Sequence, residues 1–144
     1  MINRLRIVSV LLLVASNGLA ADLPAALDRA GANRAQIQAA LDGVPADQRA
    51  GMEWLVTHMP QDDLQTLDST FLLENCEHAY AAWRNAPWHE DVSETLFFET
   101  ILPYASINER RDNWRADFRE SFAPLGEGAQ TPGEAAAMLN NGVF

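Results

Sequence analysis

The sequence contains no lysine and only one cysteine, and each shortage limits what the protein can do. Its ten basic residues are all arginines and face twenty acidic residues, so the formal net charge is −10 at pH 7. A chain this acidic repels phosphate backbones and anionic lipids, which argues against nucleic-acid binding and against binding to anionic membranes. The single cysteine, Cys76, excludes an intramolecular disulfide. Stability must therefore come from a packed core, for which a hydrophobic content of 48% is sufficient.

The first 20 residues are predicted to be a signal peptide. Arg4 and Arg6 precede an apolar run at 7–15, and Gly18-Leu19-Ala20 places small residues where a signal peptidase reads the chain. The run is shorter than the roughly 20 apolar residues that span a bilayer, although an uncleaved anchor is an alternative. Cleavage after Ala20 leaves one domain at 21–144 with a formal charge of −12. We therefore expect export to the periplasm or the extracellular space, without stable membrane insertion after cleavage.

Strand patterns are almost absent, since few stretches alternate apolar and polar residues with a period of two. Apolar residues instead recur at helical spacing between capping residues, glycines and prolines. The pattern predicts an all-α fold, an irregular bundle of about six to seven short helices. They are expected at 23–30, 33–43, 45–58, 69–85, 93–102, 109–122 and from 131 onward, with one further turn at 62–67.

The helix predicted at 69–85 has the clearest apolar stripe, which consists of Leu72, Cys76, Ala79, Tyr80 and Trp83. The stripe therefore includes the only thiol. A reactive cysteine usually lies at a helix start or beside a base, where its thiolate is stabilised. Cys76 lies in mid-helix, and His78 is on another side of that helix. We therefore predict a buried, unreactive thiol.

Other catalytic and cofactor motifs are missing from the sequence, including a Ser-His-Asp pattern, a glycine-rich phosphate loop and a Cys-x-x-Cys pair. Glu74 and His78 are four residues apart and could share a metal ion with His89 or Glu90. That spacing is common by chance, and a solvated polar face is the better interpretation. We therefore predict no metal site and no cofactor, and we expect the chain to be non-catalytic on its own.

The helix predicted at 109–122 carries two neighbouring ridges, and arginines are concentrated there. One ridge holds Arg111, Arg115 and Arg119, and the other holds Trp114, Phe118 and Phe122. Like charges four residues apart repel, so the arginine ridge needs an acidic neighbour. Either this domain supplies it, through Glu99, Glu109, Asp112 or another helix, or the ridge orders the loop at 103–108 and presents it to a partner domain.

Several segments follow one another in a characteristic order. They are Leu55-Val-Thr-His-Met-Pro-Gln-Asp-Asp-Leu64, Phe71-Leu-Leu-Glu-Asn75, Ala79-Tyr80, Pro87-Trp88 and Leu102-Pro-Tyr104 through Asn108-Glu-Arg-Arg-Asp-Asn-Trp-Arg115. This series resembles the helical N-terminal part of bacterial secreted transglutaminase-like proteins, of the papain-like cysteine peptidase group. The segment from Leu102 to Arg115 is its most specific part.

The resemblance implies a helical region that precedes a catalytic core with a Cys-His-Asp triad. Cys76 does not sit in that motif, so no catalytic role carries over to it. The implied function is a non-catalytic accessory region of a secreted transglutaminase-like cysteine hydrolase. The apolar ending Val143-Phe144 is consistent either with an interrupted chain or with a terminus that docks on the domain. The implied partner is the transglutaminase-like catalytic domain. The alternative is a stand-alone exported module that binds another envelope protein. The candidate partner-facing or cleft-facing residues are Tyr104, Asn108, Glu109, Arg111, Trp114, Arg115 and Arg119.

Overall fold

The computed structural model describes residues 17–106 and 108–144, and it confirms the all-α prediction. Within these residues there is no strand, and the eight α-helices are α1 (Asn17–Arg29), α2 (Arg34–Gly43), α3 (Arg49–His58), α4 (Gln61–Thr66), α5 (Ser69–Asn85), α6 (Glu94–Thr100), α7 (Trp114–Phe122) and α8 (Pro132–Val143). Short 3-10 turns lie at Gly31–Asn33, Ala46–Gln48, His89–Asp91 and Ala123–Gly126. The sequence predicts about six to seven helices, and the additional one is α4, where it predicts a single turn. Residues 1–16 of the predicted signal peptide lie outside the described residues.

One apolar core lies between the first six helices. Its largest fully buried side chains are Ile37, Leu41, Met52, Val56, Leu64, Leu72, Cys76, Phe97 and Leu102. Four members of the predicted α5 stripe are buried, and the fifth, Trp83, is half-buried against the core. The stripe therefore faces inward as predicted. Burying one such aliphatic or aromatic side chain contributes about 1.5–3 kcal/mol.

Stacked aromatic rings close the core beside α6. The ring of Phe97 stacks on Trp83 at 4.3 Å between centroids and meets Tyr80 edge-on at 4.7 Å. Phe98 is also buried, whereas Leu96 is 46% exposed. The helical spacing in the sequence predicts that Leu96, Phe97 and Ile101 point inward, and for Leu96 this prediction is wrong. Three consecutive apolar residues do not by themselves select a helix face, and the larger rings occupy the interior.

Side-chain caps fix the starts of three helices. Asp68 accepts a hydrogen bond from the Phe71 amide at 2.8 Å, and Ser93 and Thr131 cap α6 and α8 in the same way. The sequence predicts Asn33 as the N-cap of α2, because asparagine is a preferred capping residue, but its side chain makes no such bond. Its amide donates to the carbonyls of Leu64 and Leu67 at 3.0 and 2.8 Å. Asn33 thus ties α4 to the start of α2.

The last two helices form an extension, residues 114–144, which we call the C-terminal arm. Neither α7 nor α8 buries a side chain. α8 packs mainly on the turn at Ala123–Gly126, where a Cβ at Gly142 would lie 3.0 Å from a methyl of Leu125. Within the described residues, none of the helices is both long and apolar enough to cross a membrane.

Candidate functional site

A buried carboxylate, Asp63 on α4, organises the polar cluster at the base of the C-terminal arm. Its side chain is 9% exposed and accepts hydrogen bonds from Arg111, with Nε 3.0 Å from Oδ1 and Nη2 3.0 Å from Oδ2. Tyr104 donates its hydroxyl to Oδ2 at 2.7 Å. The buried carboxylate is therefore paired with one cation, Arg111, and accepts a further hydrogen bond from a neutral donor, Tyr104, which is the condition under which such burial is tolerated. We call Asp63, Asn75, Tyr104, Arg111 and Arg115 the polar clasp.

Tyr104 is held as a neutral donor within the clasp. Burial, followed by its bond to Asp63 and the negative charge of that carboxylate, raises the pKa of Tyr104 far above its ordinary value. The Arg111 guanidinium lies 5.9 Å from the centre of the phenol ring and acts in the opposite direction. A neutral phenol in this position orients a carboxylate but supplies neither a base nor a nucleophile.

Arg115, in the first turn of α7, is bound by neutral oxygen atoms. Its Nε donates to Oδ1 of Asn75 at 2.7 Å, and Nη2 donates to the carbonyls of Ile101, Leu102 and Pro103, the last at 2.9 Å. Asn75 in turn donates to the Leu102 carbonyl at 2.9 Å. Arg115 thus fastens the arm to the segment that follows α6.

The charge of Arg115 is not matched by a carboxylate. Among the ion pairs of the described residues, none within 4.0 Å includes Arg115. Burial lowers the pKa of Arg115 from 12.5 to about 10, although the neighbouring Cys76 acts in the opposite direction. A half-buried cation held by uncharged acceptors is less well compensated than the pair formed by Arg111 and Asp63.

Two more polar contacts surround the clasp. The indole Nε1 of Trp114 donates to the carbonyl of Tyr104 at 2.8 Å, and the amide of Asn113 donates to Glu74 on α5 at 2.7 Å. Glu109 accepts a bond from the Ser106 amide at 2.7 Å, and its carbonyl accepts one from Arg111. These bonds connect residues 104, 106, 109, 111 and 113 to one another, to α5 and to the start of α7.

The structure brings together four of the seven residues proposed from the sequence, namely Tyr104, Arg111, Trp114 and Arg115. Glu109 lies exposed at the edge of the clasp, while Asn108 and Arg119 are exposed. The prediction that Arg111 shares a helical ridge with Arg115 and Arg119 is wrong, because α7 begins only at Trp114. Arg111 lies in a non-helical segment and reaches Asp63, so another helix of this domain supplies its acidic neighbour.

Two clasp residues, Asp63 and Asn75, were not proposed from the sequence. Asn75 gave a usable signal, since it lies beside Leu72 and Cys76 on the apolar stripe of α5 and is 6% exposed. A polar side chain in such a stripe indicates a buried hydrogen-bond partner. Asp63 follows an equally acidic neighbour, Asp62, and nothing local distinguishes the two.

The chemistry available around Cys76 is limited. The side chain is completely buried in the core, and burial raises its thiol pKa from 9.0 to about 12, although Arg115 acts in the opposite direction. A protonated thiol in such a place is neither a nucleophile nor a metal ligand. The prediction of a buried thiol is therefore confirmed.

Stability should fall as the pH rises through the interval between the unfolded and folded pKa values of Cys76. The unfolded thiol ionises near 9.0 and the folded thiol only near 12, so the folded state retains the proton over that interval. The stabilisation is complete below pH 9.0 and is lost above it. Urea unfolding at a series of pH values measures the slope. In Cys76→Ala the slope should be shallower, with the remainder due to groups such as Tyr80, whose pKa burial raises to about 12. An identical slope in both proteins would contradict the assignment to the thiol.

A small cavity lies next to the clasp, lined by Phe71, Glu74, His78, Asn113 and Arg115, among others. Its volume of about 20 Å³ suits one or two water molecules rather than a substrate. Within the described residues, no three histidine, cysteine, aspartate or glutamate side chains are placed to hold a metal ion. Glu74, His78 and His89 therefore do not form a metal site in this structure.

Comparisons of this chain with family models, with curated proteins and with solved structures find no match. The resemblance of the segments between Leu55 and Arg115 to transglutaminase-like proteins therefore stays a prediction.

Proposed function

We propose that this chain is a non-catalytic helical accessory region that packs against the catalytic domain of a secreted transglutaminase-like cysteine hydrolase. The observation that carries the non-catalytic part is the position of Cys76, completely buried and with a thiol pKa of about 12. The small cavity beside the polar clasp, at about 20 Å³, has no room for a peptide or amide substrate. Such a region serves the reaction by supporting a neighbouring domain.

The C-terminal arm supplies the surface that we assign to the catalytic domain. Trp114, Phe118 and Phe122 form a row of edge-to-face rings with centroids 5.2 and 5.1 Å apart, and Phe118 is 52% exposed. Aromatic side chains in a row on an exposed helix are typical anchors of protein interfaces. The family resemblance selects the occupant, because in such proteins a catalytic core follows the helical region.

Export is supported by the position of Pro24 inside α1. A proline ring clashes with the carbonyl four residues earlier, which here belongs to Ala20, and it removes an amide donor. Cleavage after Ala20 would remove that carbonyl and place Pro24 among the first four residues of the shortened helix. Amides in those positions have no acceptor within a helix. The cleaved chain therefore accommodates Pro24 better than the uncleaved one.

The proposal is tested by purifying residues 21–144 and assaying hydrolysis of peptide and amide substrates. We expect no hydrolysis above background, and activity that disappears in Cys76→Ala would refute the non-catalytic assignment. A photoreactive phenylalanine analogue at position 118 should crosslink to a polypeptide that contains a Cys-His-Asp core, with the same analogue at exposed Glu90 as control. Crosslinking to a protein without such a core would reject the proposed partner.

A stand-alone exported binding module is the second candidate, and the clasp favours it. The buried carboxylate of Asp63 accepts hydrogen bonds from Arg111 and Tyr104 of this chain, so this charge needs no partner from a second domain. This candidate predicts that the crosslinked partner is a different envelope protein. The coding sequence that follows the codon for Phe144 separates the two candidates, because only the first expects a triad-bearing core there.

A further inference from the structure

We propose that the C-terminal arm opens from the bundle as a unit while the first six helices stay folded, and that Arg115 is the residue that holds it closed. The inference concerns the mobility of this chain alone and does not depend on the identity of a partner. An apolar core holds the bundle together, whereas polar contacts attach the arm to it.

The arm has little apolar contact to lose on opening. No side chain of α7 or α8 is buried, and Phe118, Met138 and Val143 are 52%, 37% and 47% exposed. Since hydrophobic stabilisation scales with the apolar area removed from water, detaching this arm costs far less than unfolding α5. Segments with few buried contacts are those that open locally in native proteins.

The attachment is concentrated where the arm begins, at residues 113–115. Asn113 bonds to Glu74, Trp114 bonds to the Tyr104 carbonyl, and Arg115 bonds to Asn75 and to three consecutive carbonyls. Beyond this turn, an open groove separates His78 of α5 from Ala116, Arg119 and Ala123. The arm is therefore attached where α7 begins, and the rest of α7 is separated from α5 by the groove.

The hydrogen bonds of Arg115 are of a kind that allows this side chain to detach from the bundle. Arg115 regains full hydration when it leaves, and it abandons no carboxylate, because its acceptors are an amide and backbone carbonyls. The Leu102 carbonyl keeps its bond from Asn75, and the others become accessible to water. The opposite holds for Arg111, whose departure would strand the buried charge of Asp63. Arg115 is thus the weaker attachment, and Arg111 keeps the loop before α7 in place.

Hydrogen exchange followed by mass spectrometry tests this on the full 21–144 chain over increasing urea concentrations. Amides at 116–144 should exchange at least about tenfold faster than those of α5, with little dependence on urea below the unfolding transition. In Arg115→Gln the arm should exchange about tenfold faster again, while α5 changes little. Arg119→Gln, one turn further along α7 and exposed, is the matched control and should behave like the parent chain.

Two further measurements keep the inference falsifiable if Arg115→Gln folds poorly. Trp114→Phe keeps an aromatic ring, smaller than the indole, but removes the donor to the Tyr104 carbonyl, and it should accelerate exchange in the arm alone. Millimolar methylguanidinium added to Arg115→Ala should slow exchange in the arm by refilling the oxygen-lined site. The inference is overturned if arm and α5 exchange at the same rate with the same urea dependence. It is equally overturned if the Arg115 and Trp114 variants accelerate all segments alike.

Discussion

Replacing Asp63 by alanine should lower the free energy of unfolding by about 3 kcal/mol, which is the lower end of the range for removing one partner of a buried ion pair. The carboxylate is 9% exposed and accepts bonds from both Arg111 and Tyr104. Its loss leaves a half-buried guanidinium and a buried hydroxyl without their acceptor. Each such group costs about 1–3 kcal/mol when it is left unsatisfied. The measurement is urea unfolding of the purified chain followed by circular dichroism.

Asp62→Ala is the control, because both aspartates lie in the first turn of α4 and contribute equally to the helix dipole. Asp62 is exposed, so its replacement should change stability by less than about 0.5 kcal/mol. A double-mutant cycle of Asp63→Ala with Arg111→Ala should give a coupling energy of about 1–3 kcal/mol. Equal stability of the two aspartate variants would show that the clasp is not a stabilising element.

The positions of the helices follow from local patterns in the sequence. α5 has the predicted bounds, Ser69–Asn85, because Asp68 caps its start, apolar residues recur at helical spacing, and a proline follows its end. The same reasoning locates the start of α8, where the Thr-x-x-Glu pattern at 131–134 is a capping box and Thr131 accepts the Glu134 amide. The apolar spacing and Gly43 locate α2, although Asn33 does not cap it. Local propensity and capping therefore predict most of this fold.

The candidate site could be predicted only in part, because its contacts join residues that are far apart in the chain. The sequence indicates that the arginines before and within α7 need acceptors, but 48 positions separate Arg111 from Asp63 and 40 separate Arg115 from Asn75. For the same reason, the helix predicted at 109–122 begins only at Trp114. Arg111 and Asn113 are drawn to Asp63 and Glu74, and these tertiary bonds outweigh local helix propensity.

The core beside α6 carries the largest expected effect of a single substitution. Phe97→Ala should reduce the free energy of unfolding by about 3–5 kcal/mol, since truncation of a fully buried phenylalanine removes transfer free energy and leaves a cavity. Phe97 stacks on Trp83 at 4.3 Å and meets Tyr80 at 4.7 Å, so the rings on either side lose their contact as well. The change would take a large share of the roughly 5–15 kcal/mol that stabilises a typical domain.

Leu96→Ala is the matched control for that substitution, one residue earlier in the same helix. Leu96 is 46% exposed, its amide bond to Ser93 is unaffected by the side chain, and alanine favours helix. We therefore expect a loss of less than about 1 kcal/mol, measured by urea unfolding under the same conditions. If Leu96→Ala proved the more destabilising of the two, Leu96 rather than Phe97 would lie in the interior, and α6 would be rotated about its axis by one position. The ratio of the two losses thus reports which face of α6 packs against α5, independently of any assumption about function.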